Sequence, residues 1–257
     1  MNDIQHHIKC RKGDVARFVL LPGDPARAEI SAGHFDEAKK IAHNREFITF
    51  TGKTKGMPVS VTSTGIGCPS TAIAVEELVR CGADTFIRVG TGGALQAEIE
   101  PGSFVVATGS IRDEGTSRAY IPIEFPAVAD VDVVSALATA GKDKGRKIHR
   151  GIIHSKDSFY GQKEPERMPI AEELRLRYLA WSAGGALLFE MESAALFIHV
   201  SILRVRAGCI CLVVSNKWMK LRLKEGEEGT TAMDDMIECA LAAVRMLDKE
   251  DQSRSDR

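Results

Sequence analysis

The sequence predicts an α/β protein folded as a single domain around one central sheet, and two observations carry that expectation. Short apolar runs recur at 18–21, 59–61, 85–89, 104–108, 151–154 and 208–214 along the 257 residues. Several are continuous Val/Ile stretches, as found in strands covered on both faces. Helical patterns fall between them, and strands alternating with helices define an α/β domain with its sites at strand ends.

In chain order, the first strand at 18–21 ends in Leu21-Pro22-Gly23-Asp24-Pro25-Ala26-Arg27. A helix at 71–81 follows Pro69, whose fixed φ suits a first helical turn, and Gly82 stops it. The run at 85–89 leads into Arg88-Val89-Gly90-Thr91-Gly92-Gly93-Ala94, read as a strand entering a glycine-rich turn with free backbone N–H groups. Residues 131–144 form a helix before Gly145, and 171–181 an amphipathic helix broken at Gly184-Gly185. Glu190-Met191-Glu192-Ser193 heads an apolar helix at 194–198. Residues 230–247 place Met233, Met236, Ile237, Ala240, Leu241, Val244 and Leu247 on one stripe, the mark of a packed helix. The domain is expected to span 1–247, with no linker or repeat, and the charged tail 248–257 to be disordered.

Composition narrows the function classes. A net charge of −1 argues against nucleic-acid and anionic-membrane partners, both of which select for basic surfaces. No apolar run reaches membrane-spanning length, and the polar opening Met1-Asn2-Asp3-Ile4-Gln5 is not patterned as a signal peptide. The six cysteines sit mostly in apolar segments and read as reduced core residues of a cytoplasmic protein. In Cys209-Ile210-Cys211, strand alternation sends both thiols to one face.

Two strand ends each present glycine and arginine, Gly23 with Arg27 and Gly90 with Arg88. Guanidinium forks suit a tetrahedral oxyanion, and the pair suggests a phosphate held between them. The same arginines are equally the kind found on solvated surfaces or in structural ion pairs. Glu190 and Glu192 complement a helix dipole in the bland reading. Preceded by Leu187-Leu188-Phe189, they also read as buried carboxylates in need of donors, a role that vicinal hydroxyls of a ligand fill. Asp157-Ser158-Phe159-Tyr160-Gly161-Gln162, with Arg167 beyond, is either an ordinary loop or a seat for a flat heterocycle. His7 and His43 carry no mark of their own.

Taken in order, residues 21–27 (LPGDPAR), 45–47 (REF), 63–77 (STGIGCPSTAIAVEE), 88–94 (RVGTGGA), 157–160 (DSFY) and 190–195 (EMESAA) resemble the nucleoside phosphorylase family. Residues 124–130 (EFPAVAD) resemble its uridine-cleaving branch, and the likeness runs from about residue 7 to 214. The resemblance implies a mixed, twisted central β-sheet flanked by helices, assembled as a hexamer, a trimer of dimers. It implies that Gly23, Arg27, Arg88 and Thr91 bind phosphate, with Arg45 completing the site from a neighbouring subunit. Met191 and Glu192 would hold the ribose hydroxyls, with the neighbour's copy of His7 near the 5′-hydroxyl. Phe159 would stack on the base, and Gln162 and Arg167 would bond its edge. Glu46, Ile66 and Ser70 match positions where relatives place a monovalent cation such as K+ at the dimer interface.

The implied reaction is reversible phosphorolysis of a pyrimidine nucleoside, with inorganic phosphate as co-substrate and no organic cofactor. Arg27, Arg45, Arg88, Thr91, Glu192 and Arg167 would carry it. Replacing Arg88 by alanine is expected to abolish turnover and leave the fold intact. Two departures from the family pattern stand out. Four residues separate Gln162 from Arg167, where the familiar spacing is Gln-x-Arg, and Asn216-Lys217 stand where purine-cleaving relatives carry Asp and often Arg. An amide supplies no acidic proton to a departing purine, so Asn216 argues for a pyrimidine. Purine phosphorolysis, hydrolytic nucleoside cleavage and nucleoside binding without turnover are the competing readings. The charge-rich segment 219–229 is expected to close over the base.

Overall fold

The first strand, β1 (Phe18–Leu21), is buried along its whole length and alternates its side chains between two apolar cores. The computed structural model describes residues 4–223 and 227–255. After β1 come α1 (Pro25–Gly33), β2 (Glu37–Asn44), β3 (Phe47–Thr54), β4 (Met57–Thr62), α2 (Cys68–Cys81) and β5 (Thr85–Ala94). Then follow β6 (Phe104–Asp113), α3 (Thr116–Tyr120), β7 (Ala127–Val128), α4 (Val131–Asp143), β8 (Ile148–Lys156) and α5 (Phe159–Lys163). A 3-10 turn (Pro165–Arg167), α6 (Ala171–Ala183), β9 (Leu188–Glu190), α7 (Ser193–Leu203), β10 (Arg206–Asn216), β11 (Leu221–Arg222) and α8 (Glu227–Ser255) complete the chain.

The sheet is mixed. β1 lies parallel to β4 and β5, and β4, β3 and β2 continue as an antiparallel meander. β5 runs parallel to β10, β10 antiparallel to β6, β6 parallel to β8 and β8 parallel to β9. Since β9 pairs back onto β5, these five strands close a ring. Helices α2 and α7 cover one core through Ala74, Val75, Leu78, Leu196, Phe197 and Ile198. The other core is covered by α4 and α8, through Val133, Leu137, Met236, Ile237, Leu241 and Val244. Burying each such large side chain contributes about 1.5–3 kcal/mol, so the two-sided cover is the fold's main support.

Local chemistry sets the element ends. Asp24 accepts from the Ala26 N–H at 2.9 Å to cap α1, with Pro25 in the first turn. Asp130 caps α4 through the N–H groups of Asp132 and Val133, both at 3.0 Å. Gly82 ends α2 at φ +107°, a conformation a side chain would oppose.

Several expectations are corrected. The glycine-rich stretch after Arg88 is not a turn: β5 continues through it to Ala94, paired with β10 and interrupted by one register shift between Val213 and Ser215. An ideal Cβ on Gly92 would lie 2.5 Å from the Phe189 carbonyl oxygen, and one on Gly93 2.4 Å from the Phe189 ring. Those glycines admit β9 at close quarters. The β2–β3 hairpin went unread because β2 is polar and largely exposed. Helix α6 buries no residue fully, so its amphipathic pattern seats no core face. The charged tail is helical through Ser255, because Asp251 binds Arg206 and Arg17 while Arg254 binds Asp132. Of segment 219–229, Leu221–Arg222 pairs with β10 and Glu227 opens α8, while 224–226 lie outside the described residues. All six cysteines are buried and unbridged, with the Cys209 and Cys211 thiols 3.5 Å apart on one face. Among the described residues, no helix is long and apolar enough to cross a membrane.

Candidate active site

Strand β5 organises the site. Its partner β1 reaches only to Leu21 opposite Arg88, and β9 takes over at Gly93. Between those pairings, residues 89–92 have a strand neighbour on the β10 side alone. Arg88 and Thr91 stand at this gap, a break between strands of the kind where α/β sheets bind ligands.

Arg88 is buried, and a buried guanidinium requires anionic partners. Its Nε donates to Glu190 Oε2 at 2.9 Å and its Nη2 to Glu192, while Nη1 bonds none of the described residues. Glu190 also accepts from the Ser155 hydroxyl and from the N–H groups of Glu192 at 2.9 Å and Ser193 at 3.0 Å. Burial raises the Glu190 carboxyl, but Arg88, Ser155 and those N–H groups outweigh it and hold the group below its ordinary value. Glu192 accepts from the Gly67 N–H at 2.7 Å. Burial nevertheless raises it above the ordinary carboxylate range against the pull of Arg88, with Glu190 adding to the rise. One guanidinium thus serves two buried carboxylates. Neither acid occupies a helical first turn: Glu190 ends β9 and Glu192 is the residue before α7.

Arg27, on α1, reaches the same gap and donates from Nη1 to Thr91 Oγ1 at 3.3 Å, with Asp24 at 3.8 Å from its Nε. Burial pushes its pKa below the ordinary value, and the charge of Arg88 pushes the same way. Gly23 lies against the loop before α2, where an added Cβ would come within 3.0 Å of the Gly65 carbonyl oxygen. That loop brings Gly67 to Glu192, and Ser70 in the first turn of α2 meets Glu46, whose Oε1 accepts from the Ser70 hydroxyl at 2.9 Å. Ile66 between them is 79% exposed. Among the described residues, no group of three His, Cys, Asp or Glu forms a metal cage. Arg45 occupies the β2–β3 turn at φ +55° and is exposed. His7 is held by Glu77 on α2, its Nδ1 2.7 Å from Oε1. Met191 sits between the two acids, its carbonyl accepting from the Cys68 thiol at 3.2 Å.

The aromatic loop after β8 is the short helix α5. Phe159 is exposed and meets Tyr160 edge to face at 5.3 Å. Gln162 turns inward, and both its amide atoms are buried without a hydrogen-bond partner. It lines a cavity of about 180 Å³ with Lys156, His154, Tyr178, Trp181 and Leu174. The Tyr178 hydroxyl, Trp181 Nε1 and His154 Nδ1 are unpartnered as well. Arg167 is not part of this cluster: it stands exposed on the 3-10 turn, bound to Glu164. Asn216 is likewise spoken for. Its Nδ2 donates to the carbonyls of Gln96, Ala97 and Ile99, and its Oδ1 accepts from Trp218 and Met219 N–H groups, so it clasps a loop to β10. Ser155, Gly67 and Lys156 are members of the site that sequence reasoning did not assign, and Glu190 was read as a buried acid without Arg88 as its partner. The signal for Glu190 was present, since an arginine inside an apolar strand demands a buried acid.

A model of the phosphorylase superfamily matches residues 17–249. The chain belongs to the phosphorylase superfamily. Within that superfamily it is 48% identical over 254 residues to a uridine phosphorylase of Treponema pallidum, covering 98% of this chain and 97% of the relative. It is 45% identical over 260 residues to a uridine phosphorylase of Thermococcus kodakarensis, covering 98% and 89%. A guanosine phosphorylase of Halorubrum lacusprofundi is 41% identical over 213 residues, covering 82% and 83%.

Proposed function

We propose that this chain catalyses the reversible phosphorolysis of uridine to uracil and ribose 1-phosphate, in nucleoside salvage. The end-to-end likeness to two uridine phosphorylases carries the reading. The cluster of Arg27, Thr91 and Arg88 at the β5 gap supplies its chemistry.

Phosphate enters against Arg27, Thr91, the backbone of Gly23 and the free Nη1 of Arg88. Within one chain, Arg27 and Arg88 are offset by Glu190 and Glu192, so the site is near neutral before phosphate arrives. A dianion calls for one more cation. The exposed Arg45 of a neighbouring subunit is our candidate, which makes a dimer the smallest active unit. Large apolar side chains left exposed on one face, including Ile123, Phe125, Val128 and Ile152, support burial against further copies in a hexamer. Glu46, Ser70 and the Ile66 carbonyl are hard oxygen donors of the type that hold K+ at such an interface. A cytoplasmic setting accords with six unbridged cysteines.

Ribose is held by Glu192 and Met191, with the neighbour's copy of His7 toward the 5′-hydroxyl. The base stacks on Phe159 and bonds the unpartnered Gln162 amide. As the glycosidic bond lengthens, positive charge grows on the sugar, between phosphate and the Glu192 carboxylate. Each oriented, charge-assisted contact of this kind is worth about 2–4 kcal/mol in the transition state.

The guanosine phosphorylase relative favours a second reading, in which the base is a purine. Incubating the protein with uridine, guanosine or inosine, with and without phosphate, and quantifying free base separates the readings. Uracil released only with phosphate is the expected result. Purine release in its place supports the second reading, release without phosphate marks a hydrolase, and no release leaves a binding protein.

A further inference from the structure

The departing base leaves as an anion, and the base contacts proposed above offer it only a neutral amide, Gln162. Arg167 is turned to solvent and engaged by Glu164. A cation does, however, share the cavity with Gln162. Lys156, at the end of β8, is buried to 5% exposure. Its Nζ lies 4.6 Å from the Phe189 ring centre and 5.4 Å from that of Phe159. Its hydrogen bond goes to the Phe159 carbonyl at 3.3 Å, and among the described residues no carboxylate pairs with it. An ammonium buried without a counter-charge is expensive, and such groups persist where a ligand supplies the missing anion.

We propose that the Lys156 ammonium faces the departing base and donates to one of its carbonyl oxygens as negative charge develops there. This rests on the phosphorolysis reading. The C1′–N1 bond breaks with its electron pair passing to the base, and a phosphate oxygen bonds to C1′. The proton lost by hydrogen phosphate ends, through water, on N1 of uracil, so Lys156 stays charged throughout. The charged groups around it are engaged elsewhere, while the Tyr178 hydroxyl and His154 Nδ1 beside it are unpartnered. His154 on β8 and Arg177 on α6 both bind Asp113 of β6, and Asp157 accepts from Gly115. Lys163 of α5 lies over Phe159 and Tyr160, Tyr178 of α6 is neutral, and Glu190 on β9 meets Ser155, whose side chain leaves the opposite face of β8.

Burial pushes Lys156 down to about 8, so the charged form that the reaction needs is lost as pH rises through that value. Wild-type kcat/KM for uridine is expected to fall there, and in Lys156→Arg, charged at every working pH, that fall disappears. Lys156→Met is expected to lose about 100-fold in kcat/KM on uridine. At about pH 6.5, where both nucleosides are neutral, its loss on 5-fluorouridine shrinks to about tenfold, because the fluorinated base is the better anion. Removal of an unpaired buried charge is also expected to raise the melting temperature of Lys156→Met, where a purely structural lysine would lower it. Equal losses on both nucleosides, no loss on either, or a pH fall that survives in Lys156→Arg overturns the role of Lys156 while phosphorolysis stands. Wild-type protein that releases no uracil with phosphate overturns the reading beneath it, and the proposal with it.

Discussion

Arg88 has two tasks, and they can be separated experimentally. It faces the proposed phosphate, and it neutralises Glu190 and Glu192 within the core. The expectation that Arg88→Ala keeps the fold intact is therefore revised. Stripping the cation from two buried carboxylates is expected to cost about 3–5 kcal/mol, measurable by urea unfolding, in addition to abolishing turnover. Thr91→Val touches only the hydroxyl that Arg27 meets. It is expected to raise KM for phosphate about tenfold and to shift stability by less than about 1 kcal/mol. A normal phosphate KM in that folded variant would remove Thr91 from the site. At this scale the sequence was informative about residue types and less so about partners. Arg27, Thr91 and Glu192 were singled out and do converge. The Arg88–Glu190 bond joins residues 102 apart in sequence, and no local pattern encodes it. The reading of Asn216 as an amide with no acidic proton to give stands, and the structure adds that its side chain is consumed by five hydrogen bonds in a loop clasp.

Among the elements, legibility followed burial. Strands β1, β4, β5, β6, β8 and β10 contain the apolar runs, and α2 and α4 end where Gly82 and Gly145 were expected to stop them, although α2 starts earlier, at Cys68. The exposed β2 and the short α5 lack any apolar periodicity and were missed for that reason. The glycines of β5 misled because glycine marks turns and also close approaches, and only the neighbour decides. Gly92→Ala tests the second meaning. With the Phe189 carbonyl oxygen and the Leu188 side chain both 2.5 Å from the added carbon, β9 must shift and carry Glu190 with it. A loss of about 1–3 kcal/mol is expected by thermal or urea unfolding, and an unchanged midpoint would mean that β9 is free to move. The last turns of α8 were misread because charge was taken for disorder. Asp251→Ala, which severs Arg206 and Arg17, is expected to lower stability by about 1 kcal/mol and to weaken amide-exchange protection near the C-terminus.

On the scale of the whole molecule, the proposed phosphate site calls for a cation from a second chain. If Arg45 acts across a two-fold interface, Arg27→Ala and Arg45→Ala proteins are each nearly inactive alone. Mixed and reassembled, they form hybrid dimers in which one site is intact and the other carries both changes. Random pairing restores about a quarter of all sites, which initial rates on the mixture report. Activity that stays at the single-variant level would place Arg45 outside the site or in its own chain's. The family resemblance implied this sharing, while the residue pattern of one chain does not, because it depends on which surfaces meet.

The central claim is that phosphate is the nucleophile. Phosphorus NMR of the protein with uridine and inorganic phosphate tests it directly, with free uracil followed in the same sample. A phosphate monoester resonance that grows in step with uracil is the expected result. Uracil accumulating while inorganic phosphate stays unchanged would contradict it.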